Sequence, residues 1–168
     1  HVVIFYSMVL IIFKVNIISH LKGISTALFV AFSTSSSVAT IPVTTRCLIE
    51  KLNYKEEKVN FIIPIGATIN MDGTALFECV VVIFIAQLYG VDLTVIDQFL
   101  ILSLALITSV GVAGIPSASF VAIVVILGAV GLPFEAVGLI LGIDRILDML
   151  RTSVNVYGDS CCVSVVSK

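Results

Sequence analysis

Charge is what this sequence has least of. Asp, Glu, Lys and Arg make up 12% of its 168 residues and hydrophobic residues 59%, where soluble domains carry about a quarter charged residues. With a mean hydropathy of +1.20, this excludes an ordinary soluble domain and points to a polytopic membrane protein or a large piece of one. The net charge is −2, with no basic block and no aromatic-interleaved basic patch, so nucleic-acid binding has no support. Cys47, Cys79, Cys161 and Cys162 show no CxxC or Cys/His metal spacing and are expected to be free, buried thiols. No paired base and nucleophile suggests an enzyme. His1 and His20 show no partner pattern and are expected only to flank membrane segments. The chain opens at His1 inside an apolar run, so no signal or targeting segment is readable and a C-terminal fragment of something longer is expected.

What charge there is falls in informative places. Residues 2–13 are apolar; Lys14, His20 and Lys22 mark a polar, basic connection. A moderately apolar stretch, 23–45, is interrupted by Ser33-Thr34-Ser35-Ser36-Ser37 and Pro42, and a charged loop follows over 46–58. The apolar segment 59–89 is broken by Asn70-Met71-Asp72-Gly73-Thr74, and the segment 99–130 by a Gly/Pro/Ser stretch over 109–119. Apart from Arg145 and Arg151, every Lys and Arg lies in the 14–22 loop, the 46–58 loop or at the C-terminus. By the positive-inside rule those points are cytoplasmic, and the loops 90–98 and 131–135, without basic residues, are external. Segments 23–45 and 99–130 then leave and return on one side, each too short for two crossings. The arms 99–110 and 119–130 reach about 18 Å each at 1.5 Å per residue, half a membrane. The expected fold is therefore an all-α membrane protein: transmembrane helices, two opposed re-entrant helical hairpins and a broken helix.

Irregular backbone at membrane depth is tolerated only inside protein or beside a wet cavity. Opposed half-helix ends and unwound helix centres recur in secondary transporters, where N–H groups meet anionic substrate and carbonyls meet the coupling cation. The serine run suits a substrate-facing tip; a flexible polar linker is the competing reading. The Gly111, Gly114, Pro116 break suits a mobile hairpin tip, against a kinked spanning helix. Asn70 and Asp72 suit a sodium site, against a purely structural Asp72. Glu78, four residues after Thr74, is a lone carboxylate in an apolar helix. It is a candidate proton carrier, against a permanently protonated structural role.

The last segment, 134–166, carries Asp144, Asp148, Arg151, Asn155 and Asp159 at spacings of 4, 3, 4 and 4, one helical stripe. Ionisable groups at membrane depth cost on the order of 3 kcal/mol each, which marks a pathway or binding site. A soluble core helix with an internal salt-bridge ladder is the competing reading. Arg151 suits a substrate carboxylate through bidentate geometry, Asp148 its ammonium and Asp159 a cation; internal pairing of Arg151 with Asp148 is the alternative for each.

On these residues the chain resembles the dicarboxylate/amino acid:cation symporters, the glutamate transporter family. The matching pieces are Ser-Ser-Ser-Val-Ala-Thr-Ile-Pro-Val-Thr (35–44), Gly-Ala-Thr-Ile-Asn-Met-Asp-Gly-Thr-Ala-Leu (66–76), Gly-Val-Ala-Gly-Ile-Pro (111–116) and Asp144 to Asp159, in family order and spacing. The resemblance implies the C-terminal part of one transport domain: the end of a helix (1–20), hairpin 1 (21–50), broken helix 7 (58–89), hairpin 2 (97–131) and helix 8 (134–167).

It further implies substrate contacts at Ser36, Ser37, Thr74, Gly114, Ile115, Asp148, Arg151, Thr152 and Asn155. One sodium site would use carbonyls of Gly66, Asn70 and Asn155 with the Asp159 carboxylate; a second, carbonyls around Thr68, Ser109, Val110 and Val112; a third, Asn70 and Asp72 with an earlier helix. Arg151 resembles carriers of acidic amino acids, Asp159 the sodium-coupled branch, and Glu78 occupies the position of the glutamate in proton-cotransporting members. The family's hairpin-1 arginine has no counterpart, and Arg145 is its candidate substitute. The implied function is symport of glutamate or aspartate with Na+ and H+ by an elevator motion, in a homotrimer held by a scaffold outside this chain, within lipid of the plasma or bacterial inner membrane. Symport of neutral amino acids or C4-dicarboxylates, an anion channel and an inactive fragment remain as alternatives.

Overall fold

The computed structural model describes residues 1–111 and 119–167. Among them the chain is helical throughout, without a strand. A π-helical turn, Val2–Tyr6, leads into α1 (Ser7–Ile12). Helix α2 (Ile17–Thr34) starts where the Asn16 side chain caps it, accepting from Ser19 N–H at 2.9 Å. The polar connection expected over 14–22 is therefore shorter than its composition suggests: a good N-cap turns most of it into helix.

Two residues separate α2 from α3 (Ser37–Arg46). Ser35 takes the left-handed conformation (φ 51°, ψ 34°) that ends α2, and Ser36 is extended. The Ser36 hydroxyl accepts from Ala39 N–H at 3.2 Å and caps α3. The serine run is thus the turn of a helical pair, with α2 and α3 packed on each other. A π-helical turn, Cys47–Lys51, extends α3, and α4 begins at Glu56. The expected 46–58 loop contracts to residues 52–55.

Helices α4 (Glu56–Ile69) and α5 (Asp72–Leu88) are separated by Asn70 and Met71, whose ψ angles of 83° and 41° leave the helical region. The break is narrower than the five residues read from the sequence, because Asp72, Gly73 and Thr74 form the first turn of α5. Asn, Asp and Gly are poor helix formers whose side chains or backbone compete with the helical ladder, so the interruption falls here.

Helix α6 (Val95–Gly111) opens on a reciprocal cap. Asp97 Oδ2 accepts from the Thr94 N–H (2.9 Å) and hydroxyl (2.7 Å), while Asp97 N–H donates to Thr94 Oγ1 (3.2 Å). These bonds, first that from the Thr94 hydroxyl, hold the exposed Asp97 carboxyl below its ordinary pKa. Helix α7 (Ser119–Ala129) packs on α6. The residues between them, with the Val112, Gly114, Ile115 and Pro116 assignments, lie outside the described residues. A 3-10 turn, Phe134–Val137, leads into α8 (Gly138–Val166).

Helix α8 is the axis. Its N-terminal end joins α5, α6 and α7 in one apolar core, where Val82, Ile85, Ile101, Ile123, Ile126 and Ile140 meet. Its C-terminal half joins α1, α2 and α4 in another, through Leu10, Ile24, Ile63, Tyr157 and Val163. Polarity is inverted relative to a soluble domain. Asp144, Asp148, Arg151, Asn155 and Asp159 are all buried, while Phe29, Phe61, Phe99, Ile107 and Val121 are exposed. Two helical stretches, Ile17–Thr34 and Glu56–Leu88, are long and apolar enough to cross a bilayer by length and composition.

Candidate functional site

The stripe read on α8 is real and faces inward. Arg151 occupies its centre, where Nη1 donates to Asp144 Oδ1 and Nη2 meets Asp148 Oδ1, both at 3.0 Å. Its guanidinium lies 4.3 Å from the Phe77 ring centroid, a cation–π contact in a desolvated setting. The internal pairing held open for Arg151 is present, and it includes Asp144 as well as Asp148. Arg145, one residue on, is exposed.

One turn along α8, Asn155 ties this helix to the start of α5. Its Oδ1 accepts from Gly73 N–H at 2.8 Å, and its Nδ2 approaches Thr74 Oγ1 at 3.1 Å and Met71 Sδ at 3.2 Å. Thr74 and Thr152 are buried beside it on α5 and α8. The α2–α3 turn reaches the same break, since the buried Ser37 hydroxyl donates to Ala67 O at 3.1 Å. Ser37 thus meets the α4 side of the interruption and Asn155 and Thr74 meet on its α5 side, while Ser36 caps α3 in the turn beside Ser37.

One turn further, Asp159 Oδ1 accepts from Asn70 Nδ2 at 2.9 Å. Two glycines permit this. A Cβ on Gly66 would lie 2.5 Å from Asp159 Oδ1, and one on Gly158 would lie 2.1 Å from the Tyr6 hydroxyl and 2.8 Å from Asn70 Nδ2. Tyr6 crosses Gly158 to donate to Asp72 Oδ2 at 2.5 Å, an oxygen that His1 Nε2 also contacts at 2.5 Å. Asp72 Oδ1 is buried and without a hydrogen-bond partner among the described residues. Gly66, Asn70, Asp72 and Asp159 are therefore brought together. In the second set, expected to act through carbonyls, Thr68 is exposed and its hydroxyl donates to Ile65 O (2.9 Å), the buried Ser109 donates to Leu106 O (3.2 Å), and Val110 is exposed.

Glu78 is fully buried on α5 and accepts from Thr108 Oγ1 of α6 at 2.9 Å through Oε2.

Several participants escape a reading of the sequence. His1 and His20 do more than flank. His1 meets Asp72, and His20 is buried with Nε2 2.9 Å from Ser160 Oγ and Nδ1 3.1 Å from Ser164 Oγ. A histidine on α2 and serines 140 and 144 positions later carry no common spacing signal. Tyr6 offered one clue, a phenol in a mostly apolar run. Cys47 and Cys161 are buried free thiols as expected, but Cys79 is only half-buried and Cys162 is exposed, on the outward side of α8.

A fold that is all-helical among the described residues, buries paired charges along one helix and turns apolar side chains outward fits the class of membrane proteins. The sodium:dicarboxylate symporter family matches residues 1–168, and the chain belongs to that family. It is 50% identical to excitatory amino acid transporter 3 of Mus musculus over 147 residues, covering 87% of this chain and 28% of the relative. It is 48% identical to excitatory amino acid transporter 2 of Homo sapiens over 159 residues (93% and 27%). With the proton/sodium-glutamate symport protein of Bacillus caldotenax it shares 42% identity over 159 residues (94% and 37%). The chain thus spans roughly a third of the length of these curated relatives.

Proposed function

We propose that this chain is the substrate- and ion-handling part of a symporter that carries glutamate or aspartate with Na+ and H+. The observation that carries the reading is the buried Asp144–Arg151–Asp148 group beside Asn155 and Thr74. Two carboxylates on one guanidinium leave one negative charge in excess inside the protein. An acidic amino acid, itself carrying one net negative charge, enters by exchange of partners, and the cations carried with it supply the balancing positive charge. Its carboxylate takes the Nη2 edge of Arg151, and Asp148 turns to the ammonium. Ser36, Ser37, Thr74, Thr152 and Asn155 supply the remaining polar contacts; Gly114 and Ile115, further contacts in this reading, lie outside the described residues.

Sodium is the coupling cargo. Hard oxygen donors suit it: the Asp159 carboxylate against the Gly66 backbone with carbonyls of Asn70 and Asn155, and Asp72 with Asn70. Asp72 Oδ1, buried without a partner among the described residues, supports the latter. Carbonyls around Thr68, Ser109, Val110 and Val112 form the remaining site. Glu78 carries the proton.

In this reading α2–α3 and α6–α7 are re-entrant hairpins 1 and 2, entering from the cytoplasmic and external faces of a cell membrane. Residues 1–20, 21–50, 58–89, 97–131 and 134–167 are successive parts of one transport domain. The domain moves against a trimeric scaffold. The domain's many exposed apolar side chains support a lipid- or scaffold-facing surface.

The test is uptake of labelled aspartate by the complete transporter in vesicles, with sodium replaced by choline and external pH varied. Uptake falls without sodium and responds to pH; indifference to sodium removes Asn70, Asp72, Asn155 and Asp159 from the cation sites. Arg151→Cys abolishes uptake of acidic substrates, and unchanged aspartate affinity removes Arg151 from the substrate site.

A further inference from the structure

Among the described residues Glu78 is held by one side chain from another helix, and that side chain is over-subscribed. The Thr108 hydroxyl, on α6, lies 2.9 Å from Glu78 Oε2, 2.8 Å from Leu104 O and 3.4 Å from Ala105 O. A hydroxyl has one hydrogen to give, so it serves either the carboxylate or its own helix. Glu78 Oε1 is buried and has no partner among the described residues, which leaves Thr108 as the contact through which the carboxyl group is oriented.

We propose that Thr108 is the positioning residue for Glu78, donating its hydrogen to the charged carboxylate and returning it to Leu104 O when Glu78 is protonated and itself donates. Proton binding on α5 is thereby converted into a change of hydrogen-bond direction on α6, three residues before that helix ends at Gly111. The inference rests on Glu78 being the proton carrier.

The electrostatic surroundings leave this role to Thr108. Of the charged residues on α8 (Asp144, Arg145, Asp148, Arg151 and Asp159) the one that acts on Glu78 is Arg151, already engaged by Asp144 and Asp148. Helix α6 otherwise carries Asp97, eleven residues before Thr108, and α7 has no titratable side chain. On α5 itself the titratable residues are Asp72, bonded to Tyr6 and His1, and Cys79. A charge-assisted hydrogen bond favours the charged form of its acceptor. Removing it should make Glu78 easier to protonate.

The experiment compares the pH profile of sodium-driven aspartate uptake by the complete transporter, wild type and Thr108→Val, Thr108→Ser, Glu78→Gln and Thr108→Val/Glu78→Gln, in vesicles. The expected result has four parts. Thr108→Val moves the midpoint by about half a pH unit or more toward alkaline, roughly a threefold change in proton affinity. Thr108→Ser restores the wild-type midpoint, Glu78→Gln flattens the profile, and the double variant matches Glu78→Gln. A packing defect would lower the rate without moving the midpoint. If Thr108→Val does not reach the vesicles, Thr108→Ala makes the same comparison. A flat Glu78→Gln profile with an unmoved Thr108 variant overturns the role of Thr108 alone. A Glu78→Gln profile that keeps its pH dependence overturns both this role and the proton-carrier reading.

Discussion

Gly66 and Asp159 are packed so closely that a Cβ at position 66 would stand 2.5 Å from the Asp159 carboxylate oxygen Oδ1. The oxygen proposed for the first sodium site is therefore set by the lack of a side chain on another helix. Gly66→Ala forces Asp159 to turn away and give up the 2.9 Å bond from Asn70. Breaking a buried, charge-assisted bond costs about 1.5–3 kcal/mol, so the half-saturating sodium concentration for uptake should rise by about tenfold or more. A sodium titration that matches wild type would show that Asp159 is not a ligand in this position.

The Tyr6 hydroxyl approaches Asp72 across Gly158. Tyr6→Phe keeps the ring, its edge contact with Tyr157 at 5.4 Å and the local packing, and removes only the donor. The Asp72 carboxylate then keeps its contact with His1. The carboxylate loses part of its preset orientation, and the sodium dependence of uptake should weaken by about three- to tenfold, as expected for one hydrogen bond. An equal or stronger sodium affinity in the variant would mean that Tyr6 competes with the ion instead of positioning its ligand.

His20 predicts a stability effect. A neutral imidazole has one donor and one acceptor nitrogen. The Ser160 and Ser164 hydroxyls also reach the carbonyls of Tyr157 (2.6 Å) and Ser160 (2.9 Å), so one serine turns its hydrogen to the ring. His20→Ala removes both inter-helix bonds and leaves a cavity between α2 and α8, a loss of about 2–4 kcal/mol. Thermal unfolding of the purified transporter should shift down by several degrees, with substrate and sodium affinities unchanged in the folded fraction. An unshifted transition would show that the α2–α8 contact does not depend on the ring.

Asp97 gives the acid limit of the α6 start. Its pKa is depressed by the Thr94 hydroxyl and N–H, so its contribution to the cap is present above the ordinary aspartate pKa and is lost as pH falls through the lower, folded value. Protection from hydrogen exchange at the first turn of α6, relative to the unstructured rate at each pH, should hold between neutrality and mild acid, then fall in strong acid. Asp97→Asn should show the faster exchange at neutral pH already. Equal exchange in variant and wild type at neutrality would remove the carboxylate from the cap.

Membrane character, the division into helices and the inward stripe on α8 were legible in the sequence because each is written in local periodicity and composition. The arms of the second helical pair, 95–111 and 119–129, fall within a few residues of those expected. Where local capping chemistry outweighed composition, the reading slipped. Asn16 drew a basic loop into α2, and Asp72, Gly73 and Thr74 completed a helical turn that their individual propensities disfavour.

By itself the sequence determined that buried charge is concentrated on one helix and that a broken helix supplies oxygens near it. Periodicity places side chains on a face, and hydropathy sets the cost of burying them. Only the tertiary structure decided which groups meet: Asp144 with Arg151, Asn70 with Asp159, Tyr6 with Asp72, Thr108 with Glu78. These partners lie from 7 to 89 residues apart. Most belong to different helices, and hydrogen bonds reach only about 3 Å, so their choice depends on how the helices cross. Glycines 66 and 158 show why that is hidden from local reading: what matters is a neighbour's side chain passing where theirs is missing.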